Sequence, residues 1–189
     1  MLMQQFVYSP DALALLSKRE SDSATLPTTD VKKLIAAKTM LAGFECARYI
    51  AMCKYDLAMH GASPPTTAEE LTAMWQQLYQ ERVGIATHAS TTGEQTHFAS
   101  TWYHMAIGYD CAYYGYMWSE SIALDGFERF RLGGGDDEEK EARLDAVVGK
   151  ALRREILAPG ARVEEGAMVR GFLGREPNDA AFLRSIGAG

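Results

Sequence analysis

From Asp30 to Met59 the chain carries no proline and a single glycine, Gly43. A stretch of that length without a breaker has little open to it but helix. Its apolar residues, among them Val31, Leu34, Ile35, Tyr49 and Met52, are spread around most of a helical circumference, which predicts one long helix near the centre of the fold. Elsewhere no apolar/polar alternation lasts five residues between turn signals, so no strand is expected. The chain reads as all-α: a multi-helix bundle forming a single helical domain over residues 1–189.

The other helices follow from local punctuation. Pro10 suits a first helical turn and starts a helix near 10–19, and "SDSATLPTTD" (21–30) is a loop. "HGASPPTTAEE" (60–70) is a strong break. Thr66 and Glu69 have capping-box spacing there, ahead of a helix that ends near Val83–Gly84. Residues 85–103 read as loop, and helix resumes over about 110–130. "LGGGDDEEKE" (132–141) predicts a flexible loop near 132–138 and a solvated helix start. Helix returns over 138–157, closes at "APGAR", and two short helices follow near 164–173 and 177–186.

The net charge of −6 argues against nucleic acid and anionic membranes, both of which demand a basic face. No apolar run approaches the ~20 residues of a spanning helix. The start, "MLMQQFVYSPDA", lacks the basic and apolar blocks of a secretory signal. Cys46, Cys53 and Cys111 form no CxxC pair and read as reduced thiols. A cytoplasmic location is expected.

One stretch resists a purely structural reading. Residues 104–118 run "HMAIGYDCAYYGYMW", with His104 and four tyrosines. At ~100° per residue, Tyr109, Tyr113, Tyr116 and Glu120 fall on one stripe of a helix. Cys111, Tyr114, Trp118 and Ile122 fall about half a turn away and read as ordinary core. A buried phenol needs a partner, so a row of them implies either an internal polar network or a wet groove. A groove of pre-aimed O–H donors suits a peptide backbone or a developing oxyanion. Gly108 allows an unusual φ just before the stripe, and His104 adds a donor. Tyrosine stripes also pack in cores, and the pattern alone does not choose.

"HMAIGYDCAYYGYMWSE" resembles the His-x-x-x-Gly-Tyr-x-x-x-Tyr-Tyr-x-Tyr-x-Trp signature of the thimet oligopeptidase, oligopeptidase A and dipeptidyl carboxypeptidase family of zinc metallopeptidases. "ILAPGARVEEGAMVRGFLGREPNDAAFLRSIG" (156–187) resembles that family's ending. The resemblance implies that His104 and Tyr116 are catalytic, with Tyr116 as oxyanion donor. It implies that Gly108, Tyr109 and Tyr113 bind substrate, Tyr109 as the mobile contact. Arg175 lies in the tail motif and reads as structural. Ile107 stands where a first glycine of Gly-Gly-Tyr is usual, which stiffens the loop. Pro159–Arg162 replaces Gly-Gly-Ser.

The family binds zinc through His-Glu-x-x-His and a further glutamate. That motif is missing here: His60, His88, His97 and His104 never pair at i, i+4. The chain is therefore expected to hold no cofactor itself, with zinc belonging to the intact family. It reads as the C-terminal, substrate-binding and transition-state-stabilising portion of a zinc oligopeptidase, inactive alone. The alternative is a non-catalytic helical module that binds peptides or proteins. Expected partners are short peptides and, to complete a site, a chain carrying His-Glu-x-x-His, or self-association through apolar surface left uncovered.

Overall fold

The computed structural model describes residues 1–87, 96–131 and 146–188. Among these, every regular element is helical, as the missing alternation predicts. In chain order the helices are α1 (Leu2–Val7), α2 (Pro10–Leu16), α3 (Thr28–Thr39), α4 (Ala42–Met59), α5 (Ala68–Val83), α6 (Phe98–Thr101), α7 (Gly115–Arg131), α8 (Ala146–Leu152), α9 (Glu165–Leu173) and α10 (Ala180–Ser185). No described helix is long and apolar enough to cross a membrane. The expected flexible loop near 132–138, and the start of the helix assigned from 138, lie outside the described residues.

The chain divides into two compact units, Met1–Met40 with Trp118–Gly189, and Leu41–Met117. In the first, Phe127 and Phe130 of α7 pack with Val148, Ala151 and Leu152 of α8 and with Phe172 and Leu173 of α9. Phe6 of α1 meets Phe127 and Phe130 edge-on, with ring centroids 5.0 and 5.1 Å apart. Burying each such ring stabilises the fold by roughly 1.5–3 kcal/mol. In the second unit, Met52 and Tyr55 of α4, Trp102 and Tyr113 are the buried centre. Trp75 of α5 stacks on Phe98 of α6 at 3.9 Å, and the Tyr55 hydroxyl donates to the Leu71 carbonyl at 3.1 Å.

Several local expectations change, the first being the loop read over 85–103, which contains α6 because Phe98 and Trp102 pack into the second unit's core. The single helix over 30–59 is two, because α3 ends at Thr39 and α4 begins at Ala42. The Thr39 hydroxyl donates to the Ala36 carbonyl at 3.1 Å, a local bond that competes with the helix ladder. Met40 and Leu41 are exposed, so burial does not hold the ladder together there.

The capping box sits one residue later than Thr66–Glu69. Thr67 accepts the Glu70 amide at 3.2 Å, and the Glu70 carboxylate accepts the Thr66 and Thr67 amides at 2.7 and 3.2 Å. "TTAEE" satisfies the spacing in either register, so sequence alone could not choose between them.

The helix expected from 110 begins at Gly115, with turns before it. A helical wheel is therefore the wrong projection for residues 109–114, and neither of its faces holds as drawn. Tyr113 is buried, whereas Cys111, Tyr114 and Trp118 are exposed, Trp118 by 66%. The Cys111/Tyr114/Trp118 stripe is not core.

Candidate functional site

The Tyr109–Gly115 segment owes its shape to a residue on α4. Asp56 is fully buried. Its Oδ1 accepts the Cys111 amide and its Oδ2 accepts the Tyr113 amide, both at 3.0 Å. The His60 Nδ1 lies 3.0 Å from Asp56 Oδ1 and 2.9 Å from the Asp56 backbone carbonyl. With only acceptors around it, that nitrogen carries the proton and donates. Two residues of the loop stand in the left-handed region: Gly108 at φ +86° and Cys111 at φ +57°. Glycine adopts that conformation freely; cysteine does so at a cost, which the two amide bonds to Asp56 offset. Ile107 sits at φ −122°, open to any residue, so the loop keeps its shape without a glycine there.

This clamp gathers the aromatic groups expected from sequence. His104 lies on the 3₁₀ turn Tyr103–Ala106. Its ring centroid is 5.4, 5.1 and 6.0 Å from those of Tyr109, Tyr113 and Tyr116, each edge to face. Tyr109 and Tyr116 stack in parallel, 5.3 Å apart with 2° between planes, and both are partly exposed. The hydrogen bond to Tyr109, then burial and neighbouring phenols, push the Tyr116 phenol up to about 12. It remains an O–H donor through the neutral range.

Tyr113 differs from the expectation of a groove-lining residue. Its ring stacks on Tyr49 at 4.9 Å and meets Trp102 edge-on at 4.6 Å, and its hydroxyl points at the Met52 sulfur, 3.8 Å away. Burial raises its phenol above the ordinary range. The Tyr49 hydroxyl donates to the Tyr113 carbonyl at 3.3 Å, and burial first, then Tyr113, push that phenol higher still. Tyr113 thus packs the wall behind the exposed pair.

Sequence reasoning missed Asp56, His60 and Tyr49. A signal existed for the first two: an aspartate four residues before a histidine on one helix has the spacing of a same-face pair.

The chain belongs to peptidase family M3, whose family model matches residues 1–188. It is 30% identical over 190 residues to the thimet-like oligopeptidase of Dictyostelium discoideum, covering 98% of this chain and 26% of that protein. It is 31% identical over 188 residues to the probable cytosolic oligopeptidase A of Arabidopsis thaliana, covering 98% and 25%. Against oligopeptidase A of Salmonella typhimurium (strain LT2) the identity is 26% over 186 residues, covering 98% and 25%. The chain spans about a quarter of the length of these relatives.

The zinc implied by the resemblance does not fit the residues described. Among them, no group of three His, Cys, Asp or Glu side chains could hold a metal ion. His60 is engaged with Asp56, and His97 Nδ1 lies 2.8 Å from the Thr72 hydroxyl. The Tyr49 phenol, raised first by burial and then by Tyr113, and the Tyr116 phenol, raised first by its hydrogen bond to Tyr109, stay protonated and are poor metal ligands.

Proposed function

We propose that this chain supplies the substrate-binding and oxyanion-stabilising wall of a peptidase acting on short peptides, as the C-terminal portion of the catalytic assembly, and that it is inactive alone. One observation carries the reading: a loop held by two hydrogen bonds to a buried carboxylate presents Tyr109 and Tyr116 as a parallel pair beside His104. Tyr116 donates its O–H to the oxygen of the carbonyl under attack, and His104 supplies a second donor. Donors fixed in advance stabilise developing charge without the reorganisation that water requires. Tyr109 contacts the substrate backbone, Gly108 allows close approach beside it, and Tyr113 supports both from behind.

The remaining groups of the reaction come from a chain bearing His-Glu-x-x-His, to which exposed apolar side chains such as Tyr103, Ile107 and Tyr114 offer surface. Self-association through such side chains is the competing use of that surface. The Arabidopsis relative is named cytosolic, which favours the cytoplasm for this chain as well.

Calorimetric titration of the chain with short peptides tests the binding half. Binding that weakens at least fivefold in Tyr116→Phe and in His104→Ala is expected. No affinity at any accessible peptide concentration overturns the reading. Mixing with a chain carrying His-Glu-x-x-His tests the chemical half. Hydrolysis is expected to appear on mixing and to fall about 10²–10³-fold with Tyr116→Phe, the usual effect of removing one oxyanion donor. Chelator-sensitive cleavage by the chain alone, with one tightly held zinc, counts against the division of labour proposed. Peptide binding without hydrolysis on mixing favours the non-catalytic module.

A further inference from the structure

The tyrosine pair has to be held somewhere, and the groups that hold it lie away from the pair itself. We infer that Asp56 is the positioning residue of the candidate site: its buried carboxylate sets the backbone of the Cys111–Tyr113 turn and, through it, the placement of Tyr109 and Tyr116. Its consequence for peptides rests on the function proposed above; its geometry does not.

The argument starts from what a buried carboxylate requires. Asp56 is out of reach of water, and an ionised carboxylate there must be matched by donors. Among the described residues, no arginine or lysine supplies them. The donors are two backbone amides from one short turn, with the His60 ring on the remaining face. The two amides reach the same carboxylate across a turn in which one of the donors leaves the ordinary backbone regions. Cys111 does so, at φ +57°. The turn is thus shaped to Asp56 from a distance of fifty-five residues in sequence, a span over which local propensity says nothing.

The shape is passed on directly. The Tyr109 carbonyl accepts the Ala112 amide at 3.0 Å, the Ala112 carbonyl accepts the Gly115 amide at 2.9 Å, and the Tyr113 carbonyl accepts the Tyr116 amide at 3.3 Å. Each of the two stacked tyrosines is therefore one backbone bond from the turn that Asp56 grips. Asp56 touches neither ring, so its action is indirect.

Asp56→Asn keeps the size of the side chain but presents one acceptor and an N–H₂ group where two acceptors stood. Amide hydrogen exchange and the titration of Tyr116, followed by NMR of ring-labelled tyrosine, read the outcome without any peptide. In the unaltered chain the Cys111 and Tyr113 amides should be as protected as those of α4. In Asp56→Asn they should exchange at least tenfold faster, and the Tyr116 phenol should fall from about 12 toward the ordinary range near 10.

Tyr55→Phe removes a different buried bond of the same unit and is the control for general loosening. It should leave both readouts in place. If the two amides of the unaltered chain exchange like an open loop, the inference is overturned, even should Asp56→Asn fail to fold. Equal effects of Asp56→Asn and Tyr55→Phe overturn it as well. Release of the turn with peptide affinity unchanged supports the role of Asp56 in placing the pair and counts against the function proposed for that pair.

Discussion

Among the described residues, each compact unit buries one aspartate, and the two are used differently. Asp125 on α7 accepts the Arg175 guanidinium on both oxygens, one at 2.8 Å, and the Asn178 amide at 3.0 Å. Arg175 also donates to the Glu176 carbonyl at 2.9 Å, so the tail motif folds back on a fixed point. Asp56 has no guanidinium; it is met by two amides and an imidazole. A permanent cation ties a chain segment down whatever its exact backbone shape, because a guanidinium fork reaches and turns. Backbone amides do not reach. A carboxylate that depends on them dictates φ and ψ, so Asp56 specifies a conformation where Asp125 secures an attachment.

The largest effect expected lies in the packing that both aspartates presuppose. Phe172→Ala should cost the first unit about 4 kcal/mol by leaving a cavity among Phe130, Leu152 and their neighbours, read as a lower urea midpoint. Asp125→Ala should cost about 3 kcal/mol, the low end for a broken buried pair, because the half-exposed Arg175 turns to water. Asp56→Asn should cost about 2 kcal/mol, from one amide left without an acceptor. A larger loss than for Asp125→Ala would reverse the ranking of anchor and shaper drawn here.

The pH dependence separates the units further. Burial pushes the Asp125 carboxyl up, but its bonds to Arg175 and Asn178 and the charges of Arg175 and Arg184 outweigh that and hold it below the ordinary range. A depressed carboxylate contributes stability that is present above the unfolded value and is lost as pH falls through the folded one. Asp125→Asn should therefore flatten the acid limb of a stability profile.

The second unit faces the other way. Burial raises Tyr55 to about 12, and Tyr116 reaches the same value through Tyr109. Their contribution is intact below the ordinary phenol range near 10 and declines as pH rises to about 12. Circular dichroism and tyrosinate absorbance across pH 9–13 check this; tyrosines that all titrate near 10 would contradict it. The smallest effect is Thr67→Ala, about 1 kcal/mol from loss of the α5 cap, with Thr66→Ala costing less.

Much of this was legible in the chain. The absence of strand alternation, Pro10 at a helix start and the stop at Gly84 are local properties, and the helices stand where they indicate. The motif around His104 led to the family. Other features were not legible for reasons that can be named. The break at Met40–Leu41 carries no proline, and the register of the α5 cap was degenerate in "TTAEE". The burial of Tyr113 and the exposure of Cys111 and Tyr114 were not legible because a wheel assumes helix, and residues 109–114 are turns bonded to α4.

By itself, then, the sequence determined helix content, most boundaries and membership in the peptidase family, because propensity, punctuation and motif identity act over a few residues at a time. Which tyrosines face outward, and what holds them, only the tertiary structure decided. The physical reason is one carboxylate: Asp56, fifty-five and fifty-seven positions away, takes the amides of Cys111 and Tyr113, and no short-range rule contains those bonds.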